Sequence, residues 1–224
     1  MLLDTIERHI GAADEPPRGS VIVLHGLGAD ATDFLPIASE LDLSGVEPLR
    51  FLFPNAPPRA VTVNGGYVMR AWYDILGVDF TRRGEDETGL RASQAAIVAL
   101  LEREESRGVP AERIVLGGFS QGCAMALLTG LRYPRRLGGI IGLSGYLPLA
   151  AQTAAERNEA NARTPVFLAH GQQDGVVPFV AGVASRDLLQ GLEQPVEWHE
   201  YPMAHAVCAA ELADLQRWLR RLLA

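Results

Sequence analysis

An α/β architecture, with a mostly parallel central sheet covered by helices on both faces, is predicted by three observations. Apolar runs such as Val21-Ile22-Val23-Leu24 and Gly139-Ile140-Ile141-Gly142-Leu143 are continuous rather than alternating, the pattern of strands buried on both faces. Such runs alternate along the chain with helix-periodic stretches, of which Leu90 to Arg107 is the clearest. Finally, Arg113-Ile114-Val115-Leu116-Gly117 leads through Gly118-Phe119-Ser120-Gln121-Gly122 straight into Cys123-Ala124-Met125-Ala126-Leu127-Leu128, which reads as strand, tight turn and helix.

The length of 224 residues suits one domain, 1–224, with a full core. A net charge of −7 argues against nucleic acid or an anionic membrane as a general partner. All 20 basic residues are arginine, which excludes Schiff-base and serine–lysine chemistry. Cys123 and Cys208 have no companions at metal-ligand spacing and are read as reduced core thiols. Met1 to Ile10 alternates like a strand and holds no signal-peptide core, and no apolar run reaches membrane-spanning length. A cytoplasmic protein without integral membrane association is expected.

In chain order, Val21–Leu24 is a strand that ends in the glycine loop His25-Gly26-Leu27-Gly28-Ala29-Asp30. A helix is expected through Phe34, Leu35, Ile37, Ala38 and Leu41, capped by Asp30 or Thr32. Leu49–Phe53 is the next strand, closed by Pro54-Asn55-Ala56-Pro57-Pro58. The stretch 59–89 then breaks the rhythm with a turn at Asn64-Gly65-Gly66, the aromatic pair Trp72-Tyr73 and a charged loop from Thr81 to Glu87. It reads as an insertion of the lid or pocket kind, with Trp72 as a tentative substrate-binding wall and a mere anchoring role as its alternative.

Leu90 to Arg107 is expected to bury Ala92, Ala96 and Leu100 and to expose its charged end. Ser144, in Gly-Leu-Ser-Gly, lacks the second glycine at elbow spacing and is read as structural. A strand and turn at Pro165–Gly171, a short strand at Pro195–Tyr201 and helices through Val180–Leu192 and Val207–Leu223 complete the pattern.

Gly-x-Ser-x-Gly between strand and helix is a nucleophile elbow: its glycines allow so sharp a reversal that the serine hydroxyl stands clear of the sheet. A serine hydroxyl attacks a carbonyl only with a base beside it, and the base needs an orienting acid. The order serine, acid, histidine found in α/β-hydrolases restricts the base to His199 or His205. His199 lies within a strand, whereas His205 occupies a loop between strand and helix, which favours His205. Asp174 follows a strand end and is preferred as the acid, with a helix N-cap as its structural alternative. His25 and His170 are candidates for supporting hydrogen bonds. The oxyanion donors are expected to be the N–H groups of Gln121 and Leu27.

Taken together, His25-Gly26-Leu27-Gly28-Ala29-Asp30, Phe53-Pro54-Asn55-Ala56-Pro57, Asn64-Gly65-Gly66 with Trp72-Tyr73-Asp74, Gly118–Gly122, Leu143-Ser144-Gly145-Tyr146-Leu147-Pro148 and His170-Gly171 with Asp174 and Val177-Pro178 resemble the phospholipase/carboxylesterase family. The resemblance implies a compact α/β-hydrolase fold without a separate cap domain, a Ser120, Asp174 and His205 triad, oxyanion donors at Leu27 and Gln121, and hydrolysis without cofactor or metal. Two departures stand out. Cys123 replaces a usual glycine and is expected to crowd the turn behind the nucleophile, and Ala204 replaces a glycine before the base, restricting its loop. The expected activity is that of a serine carboxylesterase acting on short- to medium-chain acyl esters as small-molecule substrates. Its alternatives are a thioesterase acting on acylated proteins or acyl-CoA, and a non-catalytic binding module. A homodimer is compatible with the sequence, which gives no direct sign of one.

Overall fold

The computed structural model describes residues 2–11, 15–77 and 84–223. Seven strands form one twisted sheet: β1 (Thr5–Ile10), β2 (Gly19–Leu24), β3 (Leu49–Pro54), β6 (Ile114–Phe119), β7 (Gly139–Leu143), β8 (Val166–Gly171) and β9 (Val196–Tyr201). Their spatial order is β1-β3-β2-β6-β7-β8-β9, in which β1 runs antiparallel to β3 and every other neighbouring pair is parallel. The remaining two strands, β4 (Pro58–Val61) and β5 (Tyr67–Arg70), pair as a separate antiparallel hairpin. The insertion expected at 59–89 therefore begins as this hairpin, while 78–83 of it, including the start of the charged loop, lies outside the described residues.

Because successive strand residues point to opposite faces, one strand feeds two cores. Ile22, Leu24, Ile114, Leu116, Val166 and Leu168 pack toward α2 (Glu87–Ser106) and α3 (Gln121–Arg132), with Leu189 of α5 (Phe179–Gly191) on the same side. Val21, Val23, Val115, Phe167 and Ala169 pack toward α1 (Ile37–Glu40) and α6 (Ala209–Leu223). A short helix, α4 (Ala150–Glu156), lies in the connection from β7 to β8. Both faces of the sheet are thus covered, which explains the unbroken apolar runs.

Three helix expectations need correction. The helix expected from Phe34 shrinks to the single turn of α1, because Pro36 has no N–H to donate and stands as its N-cap without any side-chain cap. Asp30 instead accepts the Thr32 N–H and hydroxyl in a local turn. In α2 the buried face is Leu90, Ser93, Ile97, Leu100, Leu101 and Glu104, so Ala92 is exposed. The helix starts earlier than expected, at Glu87, because Asp86 caps it by accepting the Gly89 N–H.

Glu104 is fully buried in the midst of the charged end thought to be solvated. It accepts hydrogen bonds from Ser20, Arg50 and Arg107, so the buried carboxylate is matched by guanidinium forks. Among the described residues, no helix is long and apolar enough to cross a membrane.

Helix α6 closes the lower core with Leu215, Trp218, Leu219 and Leu223. Its first turn also buries Glu211, whose two carboxylate oxygens have no hydrogen-bond partner. Burial, the chief cause, pushes this carboxyl up to about 7, against an opposing pull from the Cys208 backbone. A carboxyl that holds its proton more tightly when folded stabilises the native state at low pH, and that contribution fades as pH rises from the ordinary glutamate range through 7. Glu211→Gln should therefore gain stability over wild type on going from pH 5 to pH 8, by about 2 kcal/mol in urea unfolding.

Candidate active site

Ser120 sits between β6 and α3 at φ 56° and ψ −116°, a conformation that side-chain-bearing residues rarely adopt. The flanking glycines make it feasible. A Cβ at Gly118 would lie 2.3 Å from the Gly122 carbonyl carbon, and one at Gly122 would lie 2.1 Å from the Leu24 carbonyl oxygen. The turn is further pinned by the Ser120 N–H donating to the Leu143 carbonyl at 2.9 Å.

The strand ends bring the other expected residues to this point. His205 Nε2 lies 2.9 Å from Ser120 Oγ, and His205 Nδ1 lies 2.7 Å from Asp174 Oδ2. The Asp174 side chain is fully shielded, and its Oδ1 accepts the Val176 and Val177 N–H groups at 2.8 and 2.9 Å. Asp174 is thus both the partner of His205 and the organiser of its own turn. Phe119 packs against the His205 ring with centroids 4.7 Å apart. That contact was not anticipated, although Phe119 is the variable residue just before the serine.

His170 backs this arrangement. Its Nε2 lies 3.0 Å from the Val177 carbonyl, to which it must donate, and 3.4 Å from Asp174 Oδ2. Burial, the chief cause, lowers its proton affinity and keeps the ring neutral, so it props the acid's turn without competing as a base. Gly182 of α5 leaves room for that ring, since a Cβ there would meet Nδ1 at 2.4 Å.

His25 does similar work on the glycine loop. Its Nε2 accepts the Ala56 N–H at 3.0 Å, so Nδ1 carries the proton and donates to the Gly26 carbonyl at 2.7 Å. In a trans peptide the carbonyl and the following N–H point in opposite directions. Pinning the Gly26 carbonyl therefore aims the Leu27 N–H away from His25. Gln121 is the first residue of α3, so its own N–H has no intrahelical acceptor.

Trp72 is not a pocket wall. It is completely buried, and its indole N–H donates to the His25 carbonyl at 2.9 Å, holding the glycine loop from behind. The next residue, Tyr73, faces the site instead. The Gln121 side chain ties this segment to the elbow, accepting the Trp72 N–H at 2.8 Å and donating to the Tyr73 carbonyl at 2.7 Å. Ser144 is fully buried at φ 48°, and its hydroxyl has no hydrogen-bond partner among the described residues. His199 pairs with Glu197 in β9 and stacks on Phe167.

Neither departure from the family pattern disturbs the relay. Cys123 fits because Gly142 and Gly145 face it, and a Cβ on either would come within 2.8 Å of its sulfur. Ala204 is absent from the residues at positive φ, so its position makes no demand for glycine.

Two depressions meet at Ser120 and share Leu27 and Val176 on their rims. One, of about 340 Å³, is walled by Val63, Tyr73, Ile75 and Tyr146. The Tyr73 and Tyr146 hydroxyls lie 2.9 Å apart there. The other, of about 500 Å³, runs past His205 along Phe34, Phe119 and Val207. Among the described residues no cluster could hold a metal ion.

The Gln121 side-chain amide makes the structure testable apart from chemistry. Gln121→Leu would leave the Trp72 N–H and the Tyr73 carbonyl without partners in a buried setting, and the expected loss is about 1–3 kcal/mol in chemical denaturation.

Residues 7–223 match the family model described as phospholipase/carboxylesterase. Acyl-protein thioesterase 1 of Yarrowia lipolytica is 40% identical over 204 residues, covering 89% of this chain and 90% of the relative. Acyl-protein thioesterase 1 of Saccharomyces cerevisiae is 36% identical over 220 residues, covering 96% and 97%. The crystal structure of Arabidopsis thaliana SOBER1 superposes with a TM-score of 0.88 at 31% identity, covering 92% of this chain and all of the other. With the α/β-hydrolase sheet in place and the match running almost from end to end, the chain belongs to the phospholipase/carboxylesterase family of serine hydrolases.

Proposed function

We propose that the protein is an acyl thioesterase that also cleaves oxygen esters, working through Ser120, His205 and Asp174. The observation that carries this reading is the continuous relay from Asp174 Oδ2 through both His205 nitrogens to Ser120 Oγ, at 2.7 and 2.9 Å. The names of the relatives favour the thioester over the oxygen ester, the reverse of the order expected from sequence.

Ser120 Oγ attacks the acyl carbonyl while His205 Nε2 takes its proton. The negative charge that develops on the carbonyl oxygen falls to the N–H groups of Leu27 and Gln121, donors worth several kcal/mol in sites of this type. The carbon–sulfur bond then breaks, and the proton held by His205 passes to the departing sulfur. Water repeats the sequence on the acyl-enzyme, returning the proton to Ser120 and releasing the carboxylic acid. Asp174 keeps the His205 proton on Nδ1, so that Nε2 is free to accept. A thiol leaves with a pKa near 8.5, well below that of an alcohol, and so asks less of the acid step.

The acyl chain is assigned to the depression between Val63, Ile75 and Tyr146. Apolar walls of this kind distinguish neighbouring chain lengths by only about 1–3 kcal/mol per methylene, so a broad optimum is expected.

The test compares S-octanoyl and O-octanoyl substrates with matched leaving groups, together with p-nitrophenyl esters from acetate to laurate, for wild type and Ser120→Ala. Wild type should favour the thioester and show a short- to medium-chain optimum on the ester series. The alanine variant should lose at least about 10³-fold in kcat/KM on every substrate. Equal turnover by the two proteins would remove Ser120 from the reaction.

A further inference from the structure

We infer that Arg70 is a positioning residue for the Leu27 oxyanion donor, acting through both its backbone carbonyl and its guanidinium. The inference rests on the proposed roles of Ser120 and Leu27 and adds to them a part played by the hairpin.

The Leu27 N–H can meet an oxyanion only if the peptides on either side of Leu27 keep their orientation, because two rigid peptide planes hinge at that residue's φ and ψ. The preceding plane is held at its Gly26 carbonyl by His25 Nδ1, at 2.7 Å. The following plane is held at its Gly28 N–H, which donates to the Arg70 carbonyl at 2.9 Å. Packing holds little of this segment, since Leu27 is half-buried and Gly28 exposed. The two hydrogen bonds therefore set the direction of the donor.

Arg70 is the last residue of β5 and stands opposite Pro58 of β4. The Ala71 N–H donates to the Pro57 carbonyl, so the Arg70–Pro58 pair is of the kind that exchanges no hydrogen bonds, and the Arg70 carbonyl points out of the hairpin toward the glycine loop. The side chain fixes where that carbonyl stands. Its guanidinium donates to the Ala56 carbonyl at 3.0 Å, and the Ala56 N–H donates in turn to His25 Nε2 at 3.0 Å.

These contacts form a closed circuit: His25 to Gly26, Gly28 to Arg70, Arg70 to Ala56, and Ala56 back to His25. Leu27 is the residue that the circuit spans. It also needs a neutral His25, because Nε2 is an acceptor in it. Burial is the chief reason that the ring stays neutral, and the nearby Arg70 charge assists.

The experiment uses Arg70→Met, which keeps the backbone carbonyl and an apolar stem but removes the guanidinium, and Arg70→Lys, which keeps a cation on a flexible stem. For each, kcat and KM are measured on p-nitrophenyl octanoate, together with inhibition by heptyl trifluoromethyl ketone and by octanol. The ketone reports the oxyanion: Ser120 Oγ bonds to its carbonyl carbon, the serine proton passes to His205 Nε2, and the carbonyl π pair becomes the negative oxygen. Octanol binds without forming one. Arg70→Met should lose about 10- to 100-fold in kcat with KM within about twofold, and the ketone should weaken by a like factor while octanol does not. Arg70→Lys should show the same pattern at smaller amplitude, and it decides the matter should the methionine variant fail to fold. An unchanged kcat, a rise in KM alone, or equal weakening of ketone and octanol would overturn the inference. A ketone that binds wild type no more tightly than octanol would instead remove the oxyanion assignment on which the inference stands.

Discussion

A serine held at positive φ costs on the order of 1–3 kcal/mol, and the site rests on the chain's ability to keep Ser120 there. The compensation is local and dense. The Leu143 carbonyl takes the Ser120 N–H, the Ala124 N–H returns to the Ser120 carbonyl, and Gly118 and Gly122 let β6, α3 and the end of β2 approach closer than any Cβ would permit. Relaxing Ser120 into an ordinary conformation would swing its hydroxyl away from His205. It would also turn the first N–H of α3 away from the carbonyl it is meant to meet. In the proposed reaction, nucleophile and oxyanion donor are therefore set by one backbone geometry rather than by two independent placements.

The loops around this turn are held from behind by buried polar groups. His25 reaches across from β2 to the Ala56 N–H, Trp72 bonds the His25 carbonyl, and Gln121 binds the backbone on both sides of the Trp72–Tyr73 peptide. On the other flank, His170 supports the turn that presents Asp174. Burial keeps both of these histidines neutral, which leaves the proton traffic to the ring beside Ser120. Hydrogen bonds in so dry a setting are costly to break, so they act as a frame for groups that must stay within tenths of an ångström.

Much of this was legible in the sequence because it depends on local chemistry. Continuous apolar strands announce burial on both faces, and a glycine-flanked serine between strand and helix announces the elbow. His205 and Asp174 could be singled out because each sits at a strand end, where a parallel sheet gathers its loops. What escaped depends on which way a side chain faces after packing. Trp72 and Tyr73 are equally aromatic neighbours, yet one supports the loop and the other lines the cavity. Ala92 is exposed where burial was expected, and Glu104 is buried within a charged end expected to face solvent, since α2 is rotated to bring Glu104 under the arginines of β3 and its own last turns. The helix drawn through Phe34 failed for a simpler reason, visible in Pro36. Cys123 was misjudged because its space comes from glycines about twenty residues away.

That last arrangement has a consequence for how such a site can change. The sulfur of Cys123 occupies volume that Gly142 and Gly145 leave empty, so these positions share one allotment of space across the α3–β7 contact. A side chain at 142 is admissible only after 123 has become smaller and the Leu168 tip has shifted, whereas a smaller residue at 123 is admissible at once and leaves a void. Paths between variants here are therefore directional: the step that opens space must precede the step that fills it. The combined effect of two such replacements should also depart from the sum of the single ones.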